Sequence, residues 1–127
     1  MLFRSYYTEK TKSQLSLDAF RRAVTKIADT LHARNVKLVA QTITPRIGCA
    51  RIMGKYTKEM EAQRLRLNDW IRKADIFDGV FDAEAVVRAE TPEGIIFRDD
   101  LHRGDRLHPN KRGGQMLADA YDLSMLI

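Results

Sequence analysis

A lone cysteine, Cys49, sets the first limit on this chain of 127 residues. It forms no intramolecular disulfide, and the sequence holds neither a cysteine pair spaced for zinc nor a redox Cys-x-x-Cys. Long hydrophobic runs are also missing. No segment approaches the length needed to cross a bilayer, and Met1-Leu2-Phe3-Arg4-Ser5-Tyr6-Tyr7 is too short and too polar for the apolar region of a signal peptide. As written, the chain is therefore expected to stay in the cytoplasm without a membrane partner, although an intact relative could be exported. Internal repeats and low-complexity tracts are absent too. What remains is ordinary for a folded domain, with 44% hydrophobic and 31% charged residues.

Charge is unevenly placed. Residues 1–73 carry 16 Lys and Arg against 6 Asp and Glu, a net +10, whereas residues 74–127 carry 6 against 11, a net −5, which together give the overall +5. A basic half suggests nucleic acid, with Lys10, Lys12, Arg21 and Arg22 as phosphate contacts. These cations are spread along solvent-facing helix positions with no aromatic stacking platform among them, so a solvated face is expected and no nucleic-acid partner.

Hydrophobic periodicity gives alternating helix and strand. Leu17, Phe20, Val24, Ile27 and Leu31 recur at steps of three and four, with Ser16 as N-cap, Asn35 placed to end the helix and His32 on its surface near the C-terminal end. Residues 36–43 are β-branched and mostly apolar, as in a parallel strand covered on both faces, and Pro45 and Gly48 stop it. A second helix is expected from about Tyr56 to Ala74, its inner stripe marked by Met60, Leu67, Ile71 and Ala74. Asn68 and Asp69 are read as its surface. Val80-Phe81-Asp82 follows as a short strand, Thr91-Pro92-Glu93-Gly94 as a turn, Ile95-Ile96-Phe97 as a brief extended piece, and a last helix carries Met116, Ala120, Leu123 and Ile127. This order belongs to a parallel α/β architecture.

Chemistry concentrates in Gly104-Asp105-Arg106-Leu107-His108-Pro109. A carboxylate three residues before an imidazole can accept a hydrogen bond from one ring nitrogen, fixing the tautomer and leaving the other nitrogen to take a proton from a nucleophile. Pro109 sets its own φ and biases His108 toward extended backbone, and Asn110 can cap a helix starting two residues beyond the imidazole. Asp105 and His108 are the candidate catalytic residues. His102, Asp105 and His108 are also three apart with Asp99 and Asp100 nearby, a set able to hold a divalent metal. Glycine and proline break the helical register that would align them, and no metal is expected; His102 is read as a rim residue.

Gly-Asp-x-Leu-His-Pro-Asn-x-x-Gly, with the helix after it, resembles the last conserved block of the SGNH, or GDSL-type, ester hydrolases. Thr44-Pro45 after an apolar strand is similar to that family's strand-ending Thr-Pro. Glu61, Arg64, Asn68, Trp70-Ile71-Arg72, Phe77-Asp78-Gly79-Val80 and Asp82 resemble the helix and strand before its catalytic loop. The likeness covers roughly residues 16 to 126 and leaves residues 1–15 unassigned. It implies a flavodoxin-like three-layer sandwich of strand order 2-1-3-4-5, in which the two clear strands here are the fourth and fifth. It also implies that Asp105 and His108 belong to a Ser-His-Asp triad acting on an ester or acyl substrate without a cofactor.

The family's Gly-Asp-Ser nucleophile block and its Gly-x-Asn-Asp loop do not occur in the sequence. Ser5 lacks a strand-and-glycine context, Ser13 and Ser16 read as helix-start residues, and Ser124 falls in the last helix. The chain is accordingly expected to be the C-terminal portion (16–127) of such a hydrolase, inactive alone for want of the serine and the oxyanion hole. With the central strands missing, an apolar strand edge would be left open, favouring a complementing N-terminal fragment, self-association or marginal stability. A noncatalytic interaction module using that edge is the alternative. Arg46 and Arg51, in the loop at residues 45–54, are candidates to line what remains of the cleft.

Overall fold

A computed structural model of the chain describes residues 17–49 and 56–127. Readings that rest on Lys10, Lys12, Arg51, Ser5, Ser13, Ser16 or residues 1–15 fall outside them. The chain divides into two compact units, residues 1–38 and 39–127.

In the first unit, helix α1 spans Leu17–His32, with Val24 and Ala28 buried and Ile27 left exposed. Asn35 ends it as the spacing predicts. It takes a left-handed φ of 57°, so that its N–H reaches the His32 carbonyl at 3.0 Å while the Val36 N–H reaches that of Leu31 at 3.0 Å. These two bonds satisfy carbonyls that the last turn would otherwise leave open.

The second unit is mixed α/β. Strand β1 (Val39–Gln41) pairs in parallel with β2 (Gly79–Phe81), Ala40 lying opposite Val80, and helix α2 (Lys58–Lys73) connects them. The strand read over residues 36–43 is thus shorter at both ends, and Gln41 is exposed. Thr57 caps α2, accepting the Met60 N–H at 3.2 Å. After β2 comes a short helix α3 (Ala83–Val87), which the sequence reading passed over; Asp82 caps it by accepting the Ala85 N–H at 3.2 Å. Strands β3 (Arg88–Thr91) and β4 (Gly94–Phe97) form an antiparallel hairpin around the expected turn. Helix α4 (Lys111–Ala120) ends earlier than its stripe suggests, and a 3-10 turn (Leu123–Leu126) follows.

Val87, Phe97 and Leu101 form the core behind this hairpin, with Val86, Met116 and Leu117 packed against it. It seats α4 beneath the loop at residues 99–110. Gly113 permits the closest approach, since a Cβ there would lie 2.2 Å from the Leu101 carbonyl oxygen.

A buried polar cluster corrects the reading of α2. Asn68 is fully buried, not surface. Its side chain accepts the Ile43 N–H at 2.7 Å and donates to the Ile43 carbonyl at 2.8 Å, clamping the peptide groups just after β1. It also donates to the Glu84 carboxylate. Arg64, equally buried, meets Glu84 at 2.5 Å and grips Glu61 through Nε at 2.8 Å and Nη2 at 2.5 Å. Burial alone would disfavour the Arg64 cation, but these carboxylates outweigh it and push its pKa up. The carbonyl of Ile43 takes a further bond from Arg64 at 2.8 Å. Polar side chains at this depth are tolerable because each is paired.

Candidate active site: the loop from Asp99 to Asn110

The loop is closed at its base by backbone bonds. Asn110 N–H donates to the Leu101 carbonyl at 2.9 Å and Arg103 N–H to the His108 carbonyl at 2.9 Å. Asn110 works in both directions. Its carboxamide oxygen accepts the Gly113 N–H at 2.9 Å, capping α4, while its Nδ2 donates to the carbonyls of Asp100 at 3.0 Å and His102 at 3.2 Å. The cap foreseen at Asn110 is therefore also the cross-tie that joins the two limbs of the loop.

Within this frame, the two residues singled out from the sequence meet. His108 Nδ1 lies 2.6 Å from Asp105 Oδ2. The other carboxylate oxygen, Oδ1, accepts the backbone N–H groups of His108 at 2.9 Å and Leu107 at 3.0 Å. Those amides, the His108 backbone first and then its ring, hold the Asp105 carboxyl well below the usual carboxylate range. A charged Asp105 makes Nδ1 the protonated ring nitrogen and leaves Nε2 bare. The His108 side chain is 49% exposed. Among the described residues, no hydroxyl is hydrogen-bonded to Nε2. What the arrangement can do chemically is accept a proton at Nε2 and stabilise the resulting imidazolium through Asp105.

His102 departs from the rim position expected of it. Its side chain is only 8% exposed and stands edge-on to the Phe97 ring, 5.9 Å between centroids. Its Nδ1 accepts the N–H groups of Gly104 at 2.8 Å and Arg106 at 3.3 Å, and its Nε2 lies 3.3 Å from Asp99 Oδ1. No cluster of three or more His, Cys, Asp or Glu side chains among the described residues is arranged for a metal; the His102 ring is turned to Asp99 and two backbone amides, and the His108 ring to Asp105 through Nδ1.

Beside the loop, Arg106 packs against Gly48, where a Cβ would come within 2.6 Å of its Nη1. Arg106 also reaches toward Asp99 at 3.5 Å and Glu93 at 3.9 Å. A cleft of about 470 Å³ has walls that include Ile47, Gly48, Cys49, Tyr56, Leu65 and Ile95, and none of residues 99–110 is among its lining. Of the loop at residues 45–54, Ile47 to Cys49 thus contribute, whereas Arg46 is not among the lining residues and its pKa is lowered by burial. At the edge of the cleft Tyr56 donates to Glu61 at 2.7 Å, and burial together with that bond pushes the phenol up.

The sequence reading missed His102's inward role and the Arg64-Asn68-Glu84 cluster. The second had a signal: Arg64, Leu67, Asn68 and Ile71 recur at steps of three, one and three, so two polar residues share a helix face with two apolar ones. No protein-family model matches this chain, and no curated protein matches it either. Among the described residues, no helix is long and apolar enough to cross a membrane.

Proposed function

We propose that this chain is the C-terminal portion of an SGNH-type ester hydrolase, in which Asp105 orients His108 and His108 serves as the general base toward a serine carried on a segment outside this sequence. The observation that carries the reading is the 2.6 Å contact between Asp105 Oδ2 and His108 Nδ1 in a loop that leaves the His108 side chain half exposed. The residue order Gly-Asp-x-Leu-His-Pro-Asn-x-x-Gly supports it, as does the parallel pairing of β1 with β2, which on this reading correspond to the fourth and fifth strands of a three-layer sandwich. The substrate is an ester or acyl compound and no cofactor takes part. The cleft at Ile47, Leu65 and Ile95 is a suitable place for its apolar portion.

Hydrolysis of a short-chain aryl ester tests this. The chain alone is expected to show no turnover above buffer. Joined to a Gly-Asp-Ser-bearing segment encoded upstream, it is expected to turn over, and His108→Ala in the joined form to lower kcat by about 10³-fold or more. Turnover by the chain alone that vanishes in His108→Ala refutes the missing nucleophile, and turnover of the joined form that survives His108→Ala refutes the dyad.

A second reading has its own support. The parallel sheet has two strands, and among the described residues no further strand pairs with their outer edges. A noncatalytic role, in which the chain associates through such an edge with itself or with a complementing fragment, follows from the usual fate of open strands.

A further inference from the structure

The imidazole of His102 is nearly as buried as the core, yet the ester-hydrolase reading gives it nothing to do. Its two backbone donors, Gly104 and Arg106, are the residues on either side of Asp105. Both take left-handed backbone, with φ of 90° at Gly104 and 50° at Arg106. For glycine that conformation is free, but for arginine it is unfavourable and persists only where surrounding bonds enforce it. Successive N–H groups converging in this way form a concavity that attracts a lone pair or an anion. Here a ring nitrogen fills it.

We propose that His102 is a positioning residue for the Asp105–His108 pair. By accepting the amides before and after Asp105 on one bare Nδ1, it fixes the direction in which the carboxylate leaves the backbone, and hence its aim at His108; the catalytic meaning of this aim rests on the hydrolase reading above. Asp99 holds the other end of the ring, its Oδ1 lying 3.3 Å from Nε2 and 3.5 Å from Arg106 Nε, while Phe97 blocks sideways movement. The loop consequently requires two histidines in opposite tautomers. His102 carries its proton on Nε2, where it donates to Asp99, and accepts at Nδ1. His108 carries its proton on Nδ1, where it donates to Asp105, and leaves Nε2 bare.

Ring-nitrogen NMR of the chain, with its three histidines labelled in the imidazole and recorded on the alkaline side of the ordinary histidine range, tests the assignment. In the unaltered protein, His102 is expected as the Nε2–H tautomer and His108 as the Nδ1–H tautomer, the latter with a proton shifted downfield by the bond to Asp105. His102→Asn places a carboxamide oxygen near the position of Nδ1 and is expected to keep the His108 signals. His102→Leu removes the acceptor while filling the space, and is expected to shift His108 toward the Nε2–H tautomer that a free imidazole prefers. An Nδ1–H tautomer at His102 in the unaltered protein overturns the proposal outright, whether or not the leucine variant folds. So do His108 signals unchanged in His102→Leu, or lost equally in His102→Asn. None of these signals depends on a serine. Absence of ester hydrolysis by the form joined to a Gly-Asp-Ser segment, with the tautomer pair intact, counts only against the proposed function, and loss of the pair only against this role of His102.

Discussion

At the scale of single residues, the charge on Asp105 is the feature most open to measurement. Its carboxyl is depressed in the folded state, so the group binds its proton less readily there than in the unfolded chain, where a carboxyl of this type titrates near about 3.9. The linked stabilisation is complete above that unfolded value and is lost as pH falls through the folded one. Asp105→Asn is therefore expected to melt below the unaltered protein at neutral pH, with the gap closing in acid, as followed by melting temperature against pH. Equal gaps at both ends would mean that the charge does not hold the loop. Asp105 and His108 were legible in the sequence because their partnership spans three residues and turns on local chemistry. His102 was not, although it lies as close in the chain. Its role depends on two left-handed backbone positions, and only one of them, Gly104, announces itself by residue type; Arg106 gives no such sign.

At the scale of elements, α2 and α4 are held in the second unit by opposite means. Helix α4 comes close because Gly113 has no side chain, and the Cβ of Gly113→Ala would meet a backbone carbonyl that cannot swing away. That substitution is expected to cost roughly 1–3 kcal/mol by overpacking, read as a lowered urea midpoint, and to loosen the Asn110 cap that starts the helix. Helix α2 instead uses polar clamps. Replacing Asn68 by Leu leaves the Ile43 N–H without the acceptor it has at 2.7 Å and takes a donor from buried Glu84. The expected loss is about 2–4 kcal/mol, measured by denaturant unfolding; a neutral result would show that this region relaxes to admit water. The element types from β1 to β2 and at α4 could be read from apolar periodicity. Helix α3 could not, being five residues long and set between a strand and a hairpin, so that the Asp82 cap decides it rather than any repeat. The inward turn of Asn68 was hidden for a related reason: its partners, Ile43 and Glu84, lie 25 and 16 residues away in sequence.

At the scale of the whole molecule, the parallel sheet is the feature that needs explaining. Parallel strands are ordinarily buried within larger sheets, whereas here β1 and β2 pair only with each other among the described residues. Val39 and Ala40 are half-buried, and Val80 likewise, so the strands carry apolar side chains suited to an interior while their outer peptide groups lack strand partners. Leu123, Leu126 and Ile127 are exposed as well, in the C-terminal segment whose Met125 packs against Gly79 of β2. Such edges recruit further strands. Sedimentation of the isolated chain is therefore expected to show average mass rising with protein concentration, and its thermal unfolding to be broad. A fragment supplying the Gly-Asp-Ser strand should suppress the first and sharpen the second, because it would cover the same peptide groups. A monomer at every concentration that melts in one steep transition would instead place the stability of the fold within this chain, and would remove the support for both the complementing segment and the associating edge.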